Sequence, residues 1–148
     1  MKKYIISAGM LLSGFCVQAQ ILTPVKWAYA AKKISNTEAV VLIKATIDKG
    51  WHIYSQHVAD GGPAKTNFSF AKSDEYAPLN KTTEPQPKKK FEKAFDMNVT
   101  YFENTVVFQQ KVKLLTSTPT IKGTITYMVC SNKECLPPED IEFSVAIK

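Results

Sequence analysis

The sequence predicts an all-β domain, an immunoglobulin-like β-sandwich, and three observations carry that reading. Apolar residues recur with period two along most of the chain, helical stripes are nearly absent, and turn-forming clusters separate the apolar runs at short intervals. Seven to nine short strands with such spacing favour two packed antiparallel sheets. A closed barrel is the alternative architecture.

The elements follow in order. Val25, Trp27 and Tyr29 share one face, and Ser35-Asn-Thr37 turns the chain. Val41, Ile43, Ala45 and Ile47 line a second strand that ends at the Asp48-Lys-Gly50 turn, after which Trp51-His-Ile-Tyr54 is extended again. Gly61-Gly-Pro63 breaks it, and Phe68 with Phe70 marks a further short strand. Residues 72 to 90, rich in proline and polar side chains, predict a loop with a strand at most around Tyr76 to Leu79. Val106, Phe108, Val112 and Leu114 alternate, interrupted by Gln110, and predict one strand from about Tyr101 to Leu115. Ile125, Tyr127 and Val129, then Ile141, Phe143, Val145 and Ile147, predict a final hairpin-like pair.

The N-terminus predicts export. Met1-Lys-Lys is followed by an apolar, uncharged run from Ile5 to Val17, and Val17-Gln-Ala19 places small residues at a signal-peptidase site, so cleavage is expected after Ala19. The apolar run is too short to span a bilayer. Cys16 follows the bulky Phe15, which argues against a lipoprotein signal. Residues 20–148 then form one domain of ordinary size. With Lys2 and Lys3 gone, 17 basic residues stand against 13 acidic ones, a balance that favours solubility. The sharpest basic cluster, Lys88-Lys-Lys90 with Lys93, reads as a solvated loop or as a surface that steers an acidic protein partner. No aromatics interleave with it in a nucleic-acid-binding pattern, so nucleic acid is excluded as a partner.

Two cysteines remain after export, Cys130 and Cys135, and an oxidising compartment makes them a disulfide or a pair poised to form one. A bridge needs Cα atoms roughly 4.4 to 6.8 Å apart, which the polar Ser131-Asn-Lys-Glu134 segment allows by curling back. Closing about six residues contributes only roughly 2 kcal/mol, against about 4 to 5 for a loop of a hundred. That small return shifts weight toward a bond that opens and closes, while a structural staple stays open as a reading. Metal binding would need ligands beyond two thiolates, and His52 and His57 have no ligand-like spacing to them. A hydrolase is disfavoured, because no Gly-x-Ser-x-Gly turn occurs.

Several segments together resemble one family. Gly50-Trp-His-Ile-Tyr54, Gly62-Pro63, Phe91-Glu-Lys-Ala-Phe-Asp96 ahead of Tyr101-Phe102, and Tyr127-x-x-Cys130-x4-Cys135-x-Pro137-Pro138 are similar to the N-terminal periplasmic domain of the bacterial transmembrane thiol:disulfide interchange reductases, the DsbD family. The resemblance covers nearly all of the mature chain, and its cysteine-to-Pro-Pro motif is the most specific part. It implies an immunoglobulin-like sandwich, no cofactor, and a cysteine pair that receives electrons from a thioredoxin-like domain. Those electrons would pass to periplasmic disulfide isomerases or reductases, including those serving cytochrome c biogenesis.

By the same match Cys130 and Cys135 are the catalytic pair, with Cys135 the attacking sulfur and Cys130 the resolving one. Their spacing is one residue shorter than in the family pattern. Phe95 falls at an aromatic cap that shields the pair, with a core residue as the alternative reading. Tyr54, Trp51, Tyr127 and Pro137 are supporting positions, with a plain core role open for the three aromatics. Pro137 and Pro138 cannot donate ladder hydrogen bonds and so leave an unpaired edge beside Cys135. The resemblance further implies a monomeric stand-alone version that meets the membrane only through a partner reductase. The contrasting reading is a secreted β-sandwich that binds protein or glycan and carries a structural disulfide.

Overall fold

The computed structural model describes residues 21–148; the expected signal segment, its expected cleavage site and Cys16 lie outside the described residues. Eleven strands follow in the order β1 (Val25–Lys33), β2 (Glu38–Ile47), β3 (Trp51–Tyr54), β4 (Asn67–Phe70), β5 (Tyr76–Thr83), β6 (Lys88–Glu92), β7 (Met97–Phe102), β8 (Thr105–Leu114), β9 (Thr120–Tyr127), β10 (Val129–Ser131) and β11 (Glu139–Ala146). They pair into three antiparallel sheets ordered β1-β2-β8-β5, β10-β3-β7-β6 and β11-β9-β4. Together they form an immunoglobulin-like sandwich. Each sheet ends in edge strands, so the barrel alternative does not hold. No described helix is long and apolar enough to cross a membrane.

Alternation builds the core. Ala39, Val41, Ile43, Ala45 and Ile47 of β2 point inward with Val106, Phe108, Val112 and Leu114 of β8, while the intervening residues face outward. Aromatic pairs then join the first sheet to the other two. Trp27 meets Tyr127 edge-on at 5.2 Å, Tyr29 stacks on Phe143 at 5.3 Å, and Phe108 touches both Phe68 and Phe102 at 4.8 and 5.7 Å. One hydrophobic interior therefore receives side chains from all three sheets.

The structure differs from the sequence expectation in three places. The run expected as one strand over residues 101–115 is two strands, because Asn104 adopts a left-handed backbone (φ 63°) and Thr105 N–H bonds Glu103 O at 2.8 Å. The proline-rich stretch expected as a loop contains β5 and most of β6. Its lysine cluster is thus strand rather than loop: β6 is a sheet edge, where lysines are the usual guard against pairing with other chains. The final hairpin does form, as β9 and β11, but between them the chain passes at Met128 into β10, which belongs to a different sheet.

The interruption at Gln110 also has a cause. Its side chain is buried on the core face beside β5, which bulges between Leu79 and Thr83 around left-handed Asn80 (φ 61°). Gln110 Nε2 donates to Leu79 O at 2.9 Å and to Lys111 O at 2.7 Å, and Thr82 Oγ1 donates to Gln110 Oε1 at 2.8 Å. The amide replaces ladder bonds that the bulge removes.

Candidate functional site

The β10-β3-β7-β6 sheet presents two faces, and alternation sorts its residues between them. Ile53, Phe102 and Val129 enter the main core. Tyr54, Val99 and Cys130 point the other way and form a separate cluster with Val58, against which Met97, Tyr101, Met128 and Cys135 pack. The cysteine pair therefore sits on the outer face of a sheet, under its own small apolar cover.

Cys130 and Cys135 are bonded to each other. The local backbone explains why four intervening residues suffice. Ser131 N–H donates to Glu134 O at 2.7 Å and Leu136 N–H to Val129 O at 2.9 Å, so the two cysteines face each other as a non-hydrogen-bonded antiparallel pair. Such pairs bring side chains closest. Their Cα atoms are 4.0 Å apart, closer than the range expected from the sequence. Ser131 Oγ completes the turn by accepting the N–H groups of Lys133 and Glu134 at 3.1 and 3.2 Å.

The two cysteines differ in burial. Cys130 is 0 % exposed, anchored in β10, whereas Cys135 is half-buried on the returning segment beyond the sheet edge. Pro137 and Pro138 follow it at the surface.

A polar network adjoins the pair on the same face. His52 of β3 lies opposite Cys130 in register and is buried, 4 % exposed. Three donors converge on Glu92 Oε2: His52 Nε2 at 3.2 Å, the Tyr54 hydroxyl at 3.2 Å and Lys90 Nζ at 2.9 Å. Lys90 Nζ also reaches His52 Nδ1 at 3.5 Å and lies 5.0 Å from the Tyr101 ring centroid. The imidazole accordingly carries its proton on Nε2 and accepts at Nδ1.

Burial and the Lys90 charge hold His52 below the ordinary histidine range, against the pull of Glu92, so it is neutral at pH 7. Burial and the adjacent Glu92 carboxylate push the Tyr54 phenol well above its usual range. Burial alone would raise Glu92, but the hydrogen bonds and charges of Lys90, His52 and Tyr54 outweigh it and hold the carboxyl below the usual range.

Phe95 occupies the tip of the β6–β7 hairpin. The turn is closed by Phe95 N–H to Glu92 O at 3.1 Å and by left-handed Asp96 (φ 52°). Its half-buried ring meets Tyr54 edge-on at 6.4 Å. Phe95 thus joins the cluster face through Tyr54.

Of the residues expected at the site, Tyr54 and Phe95 share the face of the cysteines. Trp51 and Tyr127 do not: both pack against the main core, and the Tyr127 hydroxyl donates to Glu139 at 2.8 Å. The reason is parity, since Trp51 is three residues from Tyr54 and Tyr127 three from Cys130. His57 is exposed, and no group of three or more potential metal ligands occurs among the described residues. His52, Lys90, Glu92, Val99 and Tyr101 were not singled out from sequence as members of the site. The signal for His52 was available, because it shares parity with Tyr54.

The family follows from the full-length sequence match. A family model described as thiol:disulfide interchange protein DsbD, N-terminal, matches residues 18–147. The chain belongs to the DsbD N-terminal domain family. Solved structures share the fold at low sequence identity. The reduced DsbD N-terminal domain of Neisseria meningitidis is 18% identical with a TM-score of 0.52, over 80% of this chain and 83% of that one. The N-terminal periplasmic domain of ScsB from Proteus mirabilis is 16% identical with a TM-score of 0.59, over 86% of this chain and 49% of that one. A complex between the DsbD and PilB N-terminal domains of Neisseria meningitidis contains a chain 18% identical with a TM-score of 0.54, over 84% of this chain and 87% of that one. No curated protein matches the chain in sequence.

Proposed function

We propose that residues 20–148, released by cleavage after Ala19, act in the periplasm as a monomeric thiol–disulfide exchange module. It relays electron pairs from a thioredoxin-like donor to disulfide-bearing client proteins through Cys130 and Cys135. The observation that carries this reading is the unequal burial of the two bonded cysteines, Cys130 fully enclosed and Cys135 partly exposed at a sheet edge. A staple has no need of that asymmetry, whereas exchange requires one sulfur to be attacked and the other to leave and later resolve. Family membership and the DsbD–PilB complex of a relative support thioredoxin-like partners.

Reduction begins when a donor thiolate attacks Cys135 Sγ, which breaks the Cys135–Cys130 bond and leaves Cys130 as a thiolate. The donor's second thiol then attacks the mixed disulfide, departing as an oxidised donor and leaving two reduced cysteines here. In the forward half-reaction Cys135 thiolate attacks the client disulfide. Cys130 next attacks Cys135, the client leaves as a dithiol, and the intramolecular bond is restored with two electrons transferred. The protein's own residues supply burial, orientation and proton control, and no cofactor takes part.

The test is trapping. The Cys130→Ser variant expressed in the periplasm should accumulate covalent adducts on Cys135 that run as larger species without reductant. Absence of any adduct, together with a reduction potential below about −300 mV for the parent, would favour the staple instead.

A further inference from the structure

The tip of the β6–β7 hairpin is tied to the rest of its sheet by few backbone bonds. β7 pairs with β3 only at Phe102–Ile53 and Tyr101–Tyr54, with one further bond from Ser55 N–H to Thr100 O. The part of the hairpin before Thr100 lies beyond that ladder, and β6 is an edge that pairs only with β7. A hairpin end held this way opens at low cost unless side chains fasten it.

Val99 and Met97 pack it into the cluster and Thr100 Oγ1 donates to His57 O at 3.2 Å, and one residue nearer the turn fastens it by polar bonds. Glu92, the last residue of β6, joins the tip at both ends of its structure: its carbonyl accepts Phe95 N–H and closes the turn, while its carboxylate accepts His52 and Tyr54 from β3. The groups facing that carboxylate are His52 and Tyr54 from β3, Lys90 from β6 and, around Lys90, Tyr101 from β7. Charge-assisted bonds converging in a part-buried site are the strong kind.

We propose that Glu92 is a positioning residue that latches the Phe95-bearing turn across the sulfur face by holding His52 and Tyr54. The proposal rests on the exchange reading and on Phe95 as the shield of the pair. Docking of a protein partner displaces the tip, whereas a small thiol must wait for the latch to open. At neutral pH Glu92 is ionised, its carboxyl being held below the usual range, so the latch is engaged.

The experiment compares reduction of the oxidised protein by glutathione, at fixed pH, for the parent, Glu92→Gln, Phe95→Ala and the double variant. Each disulfide's reduction potential is measured alongside. Glu92→Gln should speed reduction about tenfold, the loss expected for charge-assisted bonds made neutral. Phe95→Ala should speed it at least as much, and the double variant should be no faster than Phe95→Ala alone. The potential should stay that of the parent, because a latch alters access and not the equilibrium of the bond.

A parent-like rate for Glu92→Gln, independent multiplying gains in the double variant, or a potential that moves with the rate would each overturn the latch. A parent-like rate for Phe95→Ala would overturn the shield and the latch with it, while adduct trapping on Cys135 could still succeed and leave the exchange reading standing. Should Glu92→Gln not fold, Tyr54→Phe removes one donor and keeps the ring; a parent-like rate there would count equally against the latch.

Discussion

Cys130 and His52 face each other across the β10–β3 ladder, both buried, so a neutral imidazole wired to Lys90 and Glu92 stands beside the sealed sulfur. This pairing makes the site more than a looped cystine. It places a polar network beside the buried half of the bond.

Serine at either cysteine should abolish exchange with a thioredoxin-like reductant while the fold persists. Loss of the bridge should cost only roughly 2 kcal/mol, because it closes so short a loop. Denaturant unfolding measures the second quantity and a coupled reductase assay the first. Normal turnover in either variant would refute the mechanism.

Tyr127 gives an alkaline signature. Burial, then its bond to Glu139, pushes the phenol up to about 12, whereas the unfolded chain titrates near 10. Between those values the native state keeps a proton that the unfolded state loses, so stability should be intact below pH 10 and decline as pH rises toward 12. Tyr127→Phe should lessen that decline, and the raised Tyr54 phenol should keep part of it. Denaturation midpoints taken across the window, with ultraviolet titration of the phenol, check both parts.

Gln110→Leu should destabilise the fold by about 1 to 3 kcal/mol, because Leu79 O and the Thr82 hydroxyl lose their partner beside the β5 bulge. The increase in amide exchange should concentrate around Asn80 to Thr82. A uniform increase across the sandwich would contradict the local role given to the amide.

Gly123→Ala should be costly for a different reason. A methyl there would lie 2.7 Å from Phe143 Cζ and collide with the Ser69 carbonyl on the neighbouring strand. Overpacking of this kind costs roughly 1 to 3 kcal/mol. Equilibrium unfolding should show the loss, and the exchange rate of the folded fraction should be unchanged, since the residue is on β9 and away from the sulfur cluster.

The sandwich was legible wherever one face of a strand is buried, because period-two alternation is then enforced by the core, as in β2, β8, β9 and β11. It failed where other forces set the strand. β6 is an edge with lysines on it, and its identity comes from pairing with β7 rather than from an apolar face. β7 and β8 merged in the sequence because nothing in the residue types of Glu103-Asn104 outweighs the apolar runs on either side. At the site, the cysteines and Tyr54 were readable from motif and neighbourhood. Glu92 joins them from 38 residues away through a fold-level register, and no local pattern encodes that contact. Trp51 and Tyr127 came in through the family resemblance with a core role left open, and strand parity sets both on the core face.

The passage of the chain from β9 into β10 at Met128 has a mechanical consequence. Val129 is rooted in the hydrophobic interior while its neighbour Cys130 looks out the other side, and the backbone pairing that zips β10 to β3 does not pass through the sulfurs. On the proposed relay, charging and discharging should therefore leave the outline almost constant. A partner would then tell the loaded form from the spent one by touching sulfur.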